Sequence, residues 1–193
     1  NYVFRLSLTD TWALRALLMH AERQGMTRVG LLLSNTEWGR SSQRAAVAFA
    51  RARPALRIVA TEWFNWGDTS LMARYQSIQR AGAEALVFVT NEREGAILID
   101  ELATLEPERR LPILAHWGIT GGTLFERAGP ALAQMDLVVV QTYSFLDPGG
   151  AGAERVLAAI ARHGVANARE IASPVGVAHA YDLVHILARA IEL

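Results

Sequence analysis

Arg28-Val29-Gly30-Leu31-Leu32-Leu33-Ser34-Asn35-Thr36-Glu37-Trp38-Gly39-Arg40 is the stretch whose reading decides the fold. A near-continuous apolar run leads into a short aromatic and polar loop, and the Ala-rich segment 41–51 then reads as a helix, with Arg40 or Ser41 opening it. A strand apolar on every residue is one buried on both faces, which is the habit of parallel sheets. The same passage from strand to loop to helix recurs outward from here. Residues 58–64, 85–89, 111–115 and 137–141 read as further strands. The loops after three of them run Asn65-Trp66-Gly67-Asp68, Thr90-Asn91-Glu92-Arg93-Glu94 and His116-Trp117-Gly118-Ile119-Thr120-Gly121-Gly122. Parallel neighbours need a crossover long enough to hold a helix, so this alternation predicts an α/β fold: an open parallel sheet with helices on both faces. In such sheets ligands bind beyond the carboxyl ends of the strands, and these loops gather there.

Helices are expected at about 10–24, 69–80, 95–105 and 123–127, with Thr9 or Asp10 capping the first and Asp68 or Thr69 capping the second. Gly25 and Gly82 stop the first two. Residues 2–6 read as one more short strand. After Tyr143 the texture changes. Asp147-Pro148-Gly149-Gly150-Ala151-Gly152 is turn-rich, and two helices follow at about 153–163 and 177–192 without a strand between them. Two units are therefore expected, 1–143 and 144–193.

The chain has 193 residues, enough for a full core, and 19 basic against 19 acidic residues balance to zero. No run of either sign offers the basic face that nucleic-acid phosphates demand. No apolar run is long enough to span a bilayer, so no membrane insertion is expected. The absence of cysteine removes thiol catalysis and disulfides. The five histidines are scattered without zinc-like spacing, and no metal or cofactor is expected. The first residue is Asn1, so an upstream part is expected to have been removed.

Trp38 can stack on a ligand, or it can pack its loop onto the sheet. Trp63, Phe64 and Trp66 read better as structure. Thr90, Asn91 and Glu92 are expected to end exposed at the rim and offer donors and acceptors to a polar ligand; equally, Asn91 can cap a helix whose dipole Glu92 or Glu94 complements. The glycine-rich stretch from Trp117 to Gly122 is neither a P-loop nor a dinucleotide fingerprint. His116 has no Ser or Asp beside it in sequence, so a structural role is the better reading than catalysis. No Gly-x-Ser-x-Gly elbow is present, and no enzyme activity is expected.

Taken together, these segments resemble the type I periplasmic solute-binding proteins, in particular the branched-chain amino-acid (leucine/isoleucine/valine) binding family of ABC transporters. The resemblance is carried by Asn1-Tyr2-Val3-Phe4-Arg5, Asn35-Thr36-Glu37-Trp38-Gly39-Arg40-Ser41, Ala81-Gly82-Ala83-Glu84-Ala85-Leu86, His116-Trp117-Gly118 and Ala180-Tyr181-Asp182-Leu183-Val184. It covers essentially the whole chain. It implies two lobes joined by hinge strands, with residues 1 to about 143 as the second lobe. The helices after Gly150 would be elements that pack on a first lobe absent from this chain.

The resemblance further implies a periplasmic or extracellular protein that captures a small polar or aromatic molecule or an amino acid by hinge closure, with an ABC transporter permease as partner. A ligand-binding sensor domain that speaks to a signalling partner is the alternative on the same fold. By position, Trp38 takes the place of a ligand-stacking Tyr, Asn91 or Glu92 that of a second contact, and Thr120 falls near the family's acidic ligand for an α-ammonium. Thr carries no negative charge, so an amino-acid ligand would need Glu92 as the substitute. Trp38 and Trp117 would suit a flat or apolar ligand such as an aromatic acid.

Overall fold

A computed structural model describes residues 6–146 and 149–192. Five strands form a single parallel sheet: β1 (Arg28–Ser34), β2 (Arg57–Phe64), β3 (Ala85–Val89), β4 (Ile113–His116) and β5 (Leu137–Val140), in the order β2-β1-β3-β4-β5. The expected open parallel α/β sheet is therefore present. Strand β3 is buried at every residue, as is β1 after Arg28, while the edge strand β5 is only half-buried along its length. Burial thus follows place in the sheet, and the all-apolar edge strand β5 is less buried than the central β3.

The helices are α1 (Asp10–Arg23), α2 (Glu37–Arg51), α3 (Met72–Arg80), α4 (Glu92–Ala103), α5 (Leu124–Leu132), α6 (Ala151–Ala161) and α7 (Pro174–Glu192). Helices α1 and α2 pack on each other and on strands, whereas α3 pairs with α4 and α4 with α5. On that second face Leu32, Leu86, Phe88, Ile113 and Ala115 meet Tyr75, Ile78, Leu98, Ile99 and Leu124 in one core. Because side chains alternate along a strand, the intervening Leu31, Leu33, Val87 and Leu114, all buried, belong to the opposite face. There they lie on the side of Leu14, Leu17 and Leu18 of α1.

Several expected boundaries moved. Helix α2 begins at Glu37, because the Thr36 hydroxyl accepts from the Gly39 N–H (3.4 Å) and caps it. Trp38 and Gly39 therefore sit in the first helical turn instead of a loop. Thr9 precedes α1, but neither it nor Asp10 makes a side-chain cap. Helix α3 starts only at Met72. Asp68 does not cap it; its carboxylate accepts from the Asn65 N–H (3.0 Å) and pairs with Arg74 (2.9 Å). Strand β4 starts at Ile113, not Leu111, and α5 runs on to Leu132 with Pro130 inside it. The expected strand at 2–6 lies outside the described residues save for Leu6, as do Asp147 and Pro148 of the expected turn.

The chain divides into two compact units: Thr9–Val140, and Gln141 onward together with the residues before Thr9. The second has its own small core of Phe145, Val156 and Ile171, against which Tyr143, Leu157, Val177 and Tyr181 pack. Within it the Arg155 guanidinium donates to the Tyr181 hydroxyl (3.2 Å), and the Thr142 hydroxyl meets His179 Nε2 (2.8 Å). Among the described residues, no helix is long and apolar enough to cross a membrane.

Candidate functional site

The route of the chain through the sheet places a crevice. From β1 it passes through α2 to β2 on one side, then returns across β1 through α3 to β3 on the other. Strand order reverses between β1 and β3, so the segments leaving those two strands part in opposite directions, which is where ligands bind in open parallel sheets. Trp38 follows β1, Asn91 and Glu92 follow β3, and the Trp117–Thr120 turn follows neighbouring β4.

These segments meet. The Trp38 ring stands edge-to-face on His116, with centroids 5.0 Å apart and planes at 82°. His116 in turn lies 5.5 Å from the Trp117 ring. Gly118 is pressed among three groups: a β-carbon built there would stand 2.7 Å from the Thr90 carbonyl oxygen, 2.8 Å from Trp38 Cη2 and 3.0 Å from Asn91 Oδ1. Gly122, at φ +56°, abuts Glu92, whose Oε1 would lie 2.8 Å from a β-carbon there. Trp38, Asn91, Glu92 and the turn after β4 are thereby one surface.

Each polar group has a definite state. Asn91 precedes α4 but its amide makes no capping bond, and the side chain is exposed. Glu94, a candidate for the helix dipole, is buried at 2% exposure and accepts from the Gly67 N–H (3.0 Å), tying down the loop after β2. Glu92 is half-buried and is left as the acid of this surface. Thr90 corrects an expectation: it is fully buried, and its hydroxyl donates to the Asn91 carbonyl (3.0 Å) instead of facing the rim. Thr120 is half-buried, and its hydroxyl donates to the Trp117 carbonyl (2.8 Å), closing a 3-10 turn. Its oxygen retains acceptor capacity only. Asn35, from the loop after β1, donates to Asn65 Oδ1 (3.0 Å) and accepts from Arg40 (3.2 Å), so it braces two loops. Of the strand-end aromatics, Phe64 is buried against Phe88, while Trp66 is 44% exposed.

One neighbour of this surface gave no signal in the sequence. Asp10, in the first turn of α1, places Oδ1 3.8 Å from His116 Nε2. His116 is 2% exposed, and among the described residues neither ring nitrogen has a hydrogen-bond partner. Burial lowers its pKa to about 4, a shift that the Asp10 carboxylate partly opposes. The imidazole is neutral at neutral pH.

The surface offers indole stacking, an amide with donors and an acceptor, and a carboxylate. Among the described residues no cluster of His, Asp and Glu could hold a metal.

The model of the periplasmic binding protein family matches residues 1–193. No curated protein sequence matches the chain. Solved structures do match. A type 1 periplasmic binding protein from Bordetella pertussis is 22% identical with a TM-score of 0.72, covering 89% of this chain and 47% of its own. A leucine-binding protein from Thermotoga maritima is 18% identical with a TM-score of 0.75, covering 97% of this chain and 51% of its own. A solute-binding protein of an ABC transporter from R. palustris, in complex with benzoate, is 14% identical with a TM-score of 0.75, covering 94% and 47%. At these identities the likeness is one of fold, and this chain spans about half the length of each. With its whole length matched by the family model, the chain belongs to the periplasmic binding protein family.

Proposed function

We propose that this chain carries one ligand-binding face of an extracytoplasmic solute-binding protein. That protein captures a small polar or aromatic organic molecule, or an amino acid, for an ABC transporter without chemical change, by closing two lobes around it. The observation that carries the reading is the convergence of Trp38, Asn91 and Glu92 with the Gly118–Gly122 turn at the switch point of the sheet. An indole wall beside an uncommitted amide suits a flat body with a polar edge. The benzoate-bound relative from R. palustris has such a ligand. Glu92 is the group that would receive an ammonium in place of Thr120, and Trp117 would line the same turn.

In this reading the unit Thr9–Val140, the body of the expected 1–143, forms one lobe, and the helices of 144–193 serve the other. Helix α7 exposes Val184 (66%), Leu187 (53%) and Ile191 (76%), an apolar strip that remaining parts of a protein twice this length would cover.

The test is calorimetry on the full-length protein with benzoate, leucine and a panel of aromatic acids and aliphatic amino acids. One of these should bind, and Trp38→Ala should weaken it by about tenfold or more, as the loss of a buried aromatic anchor does. Unchanged affinity in a folded Trp38→Ala variant would sink the proposed face.

A further inference from the structure

A buried imidazole without hydrogen-bond partners is costly unless it does something. Leaving a buried polar atom unpaired costs about 1–3 kcal/mol, and a carbon ring of the same shape would avoid that. His116 has both ring nitrogens in this state and is 2% exposed. Its surroundings are specific. On one side the Asp10 carboxylate from α1 approaches Nε2 to 3.8 Å. On the other the Trp38 ring from α2 meets it edge-to-face at 5.0 Å. The Trp117 ring lies tilted at 5.5 Å. Asp10 is the charged group that acts on the ring among the described residues.

A carboxylate accepts hydrogen bonds and never donates them, so the nitrogen facing Asp10 is the one that carries the proton of the neutral ring. At 3.8 Å the two are not hydrogen-bonded, and the carboxylate acts on the ring through its charge. The ring plane is thus oriented from the Asp10 side. The same plane decides how Trp38 stands, because the edge-to-face contact at 82° lies within the favourable separation for aromatic pairs, about 4.5–7 Å.

We infer that Asp10 and His116 are positioning residues for Trp38: the carboxylate in the first turn of α1 orients the buried imidazole, and the imidazole fixes the plane of the indole that forms the ligand face. This rests on the proposed function only for the word ligand; the positioning itself is a property of the unliganded chain. It extends the site from the sheet rim to the first turn of α1.

The experiment reads Trp38 without any ligand. The difference between the chain and its Trp38→Phe variant, in near-UV circular dichroism and in fluorescence, isolates the indole signal. At neutral pH, His116→Ala should change that difference, and His116→Phe, which keeps the ring contact with Trp38 but loses the nitrogen facing Asp10, should restore it only in part. Asp10→Asn, at a side chain 19% exposed and so less demanding on folding, should alter the signal in the same direction as His116→Ala. On acidification the Trp38 signal should follow protonation of His116, with a midpoint near 4, and Asp10→Asn should move the midpoint lower because the carboxylate favours the charged ring. An unaltered Trp38 signal in folded His116→Ala, or identical signal and midpoint in Asp10→Asn, would overturn the inference. If the signal follows both residues while ligand affinity ignores Trp38, the ligand face alone is wrong; if affinity depends on Trp38 while its signal ignores both residues, the positioning alone is wrong.

Discussion

The Trp38 indole rests on the α-carbon of Gly118, close enough that a β-carbon there would stand 2.8 Å from Cη2. The contact joins the first turn of α2 to the turn after β4, and a second neighbour, the Thr90 carbonyl at 2.7 Å, is backbone that cannot swing aside. Gly118→Ala should therefore lift the indole and strain the turn together. The expected loss is about 1–3 kcal/mol, the usual range for overpacking. In a Trp38→Ala background the same substitution should cost less, because one of the clashes is gone. Denaturant melts of the four combinations check this, and additive losses would show that Trp38 and Gly118 do not share a contact.

Gly122 makes a separate demand on Glu92. Its φ of +56° is left-handed backbone, and its α-carbon lies against the Glu92 carboxylate. Gly122→Ala should lose about 1–2 kcal/mol to backbone strain and displace the carboxylate as well. Gly122→Asn tolerates the backbone better, since Asn visits this region more readily. It should keep more of the stability while still disturbing Glu92. Thermal melts separate the two variants; equal losses would mean that contact with Glu92, not strain, is what matters.

The central strands are legible because burial on both faces leaves no polar position: Ala85-Leu86-Val87-Phe88-Val89 is buried at all five residues and matches β3 to the residue. Helix starts were less so. Thr36 caps α2 ahead of the start expected at Arg40 or Ser41, while Asp68, an expected cap, is drawn off to Arg74 and the Asn65 N–H. That choice is made by a side chain on a later turn. The helix expected at 123–127 runs on to Leu132 with Pro130 inside it. The gathering of Trp38, Asn91, Glu92 and the turn after β4 at one rim is expected from the strand–loop–helix alternation. Its support from Asp10 is not, because α1 is brought to the end of β4 only by packing across the sheet. Glu92 and Glu94 are alike in sequence; only the fold buries one on Gly67 and leaves the other to the rim.

Tyr75 offers a stability test away from this surface. Its hydroxyl, fully buried, donates to the Arg109 carbonyl (3.0 Å) and accepts from the Leu111 N–H (2.7 Å), so it holds the approach to β4. Burial raises its pKa, and it stays neutral and able to donate. Tyr75→Phe keeps the packing and strands the Leu111 N–H, while the Arg109 carbonyl keeps the Gln79 amide as donor (2.6 Å); the unpaired N–H should cost about 1–3 kcal/mol. At roughly 2–4 °C per kcal/mol for a chain of this size, the melting temperature should fall by several degrees. Trp38 fluorescence should stay as it was; a change there would mean that the fold transmits the defect to the rim.

Glu84 gives a pH-dependent test. Its carboxylate accepts from the Thr27 N–H (2.7 Å) and the Arg28 N–H (3.0 Å) and pairs with the Arg28 guanidinium (3.3 Å), clamping the start of β1 to that of β3. The backbone hydrogen bonds from Arg28 and then Thr27 hold its pKa below the ordinary carboxyl value, with the Arg28 charge adding to them. A group whose folded pKa is depressed stabilises the protein above its unfolded pKa, about 4.3 for Glu, and that stabilisation is lost as pH falls through the folded value. Glu84→Gln keeps an accepting oxygen without the charge, so it should melt below the parent at pH 7. The gap should hold down to about pH 4.3 and narrow below it as the parent protonates. Thermal unfolding of both proteins from pH 7 to pH 3 reads the gap directly. A gap that stays constant over that range would show that the amide's poorer hydrogen-bond geometry, not the missing charge, sets the difference.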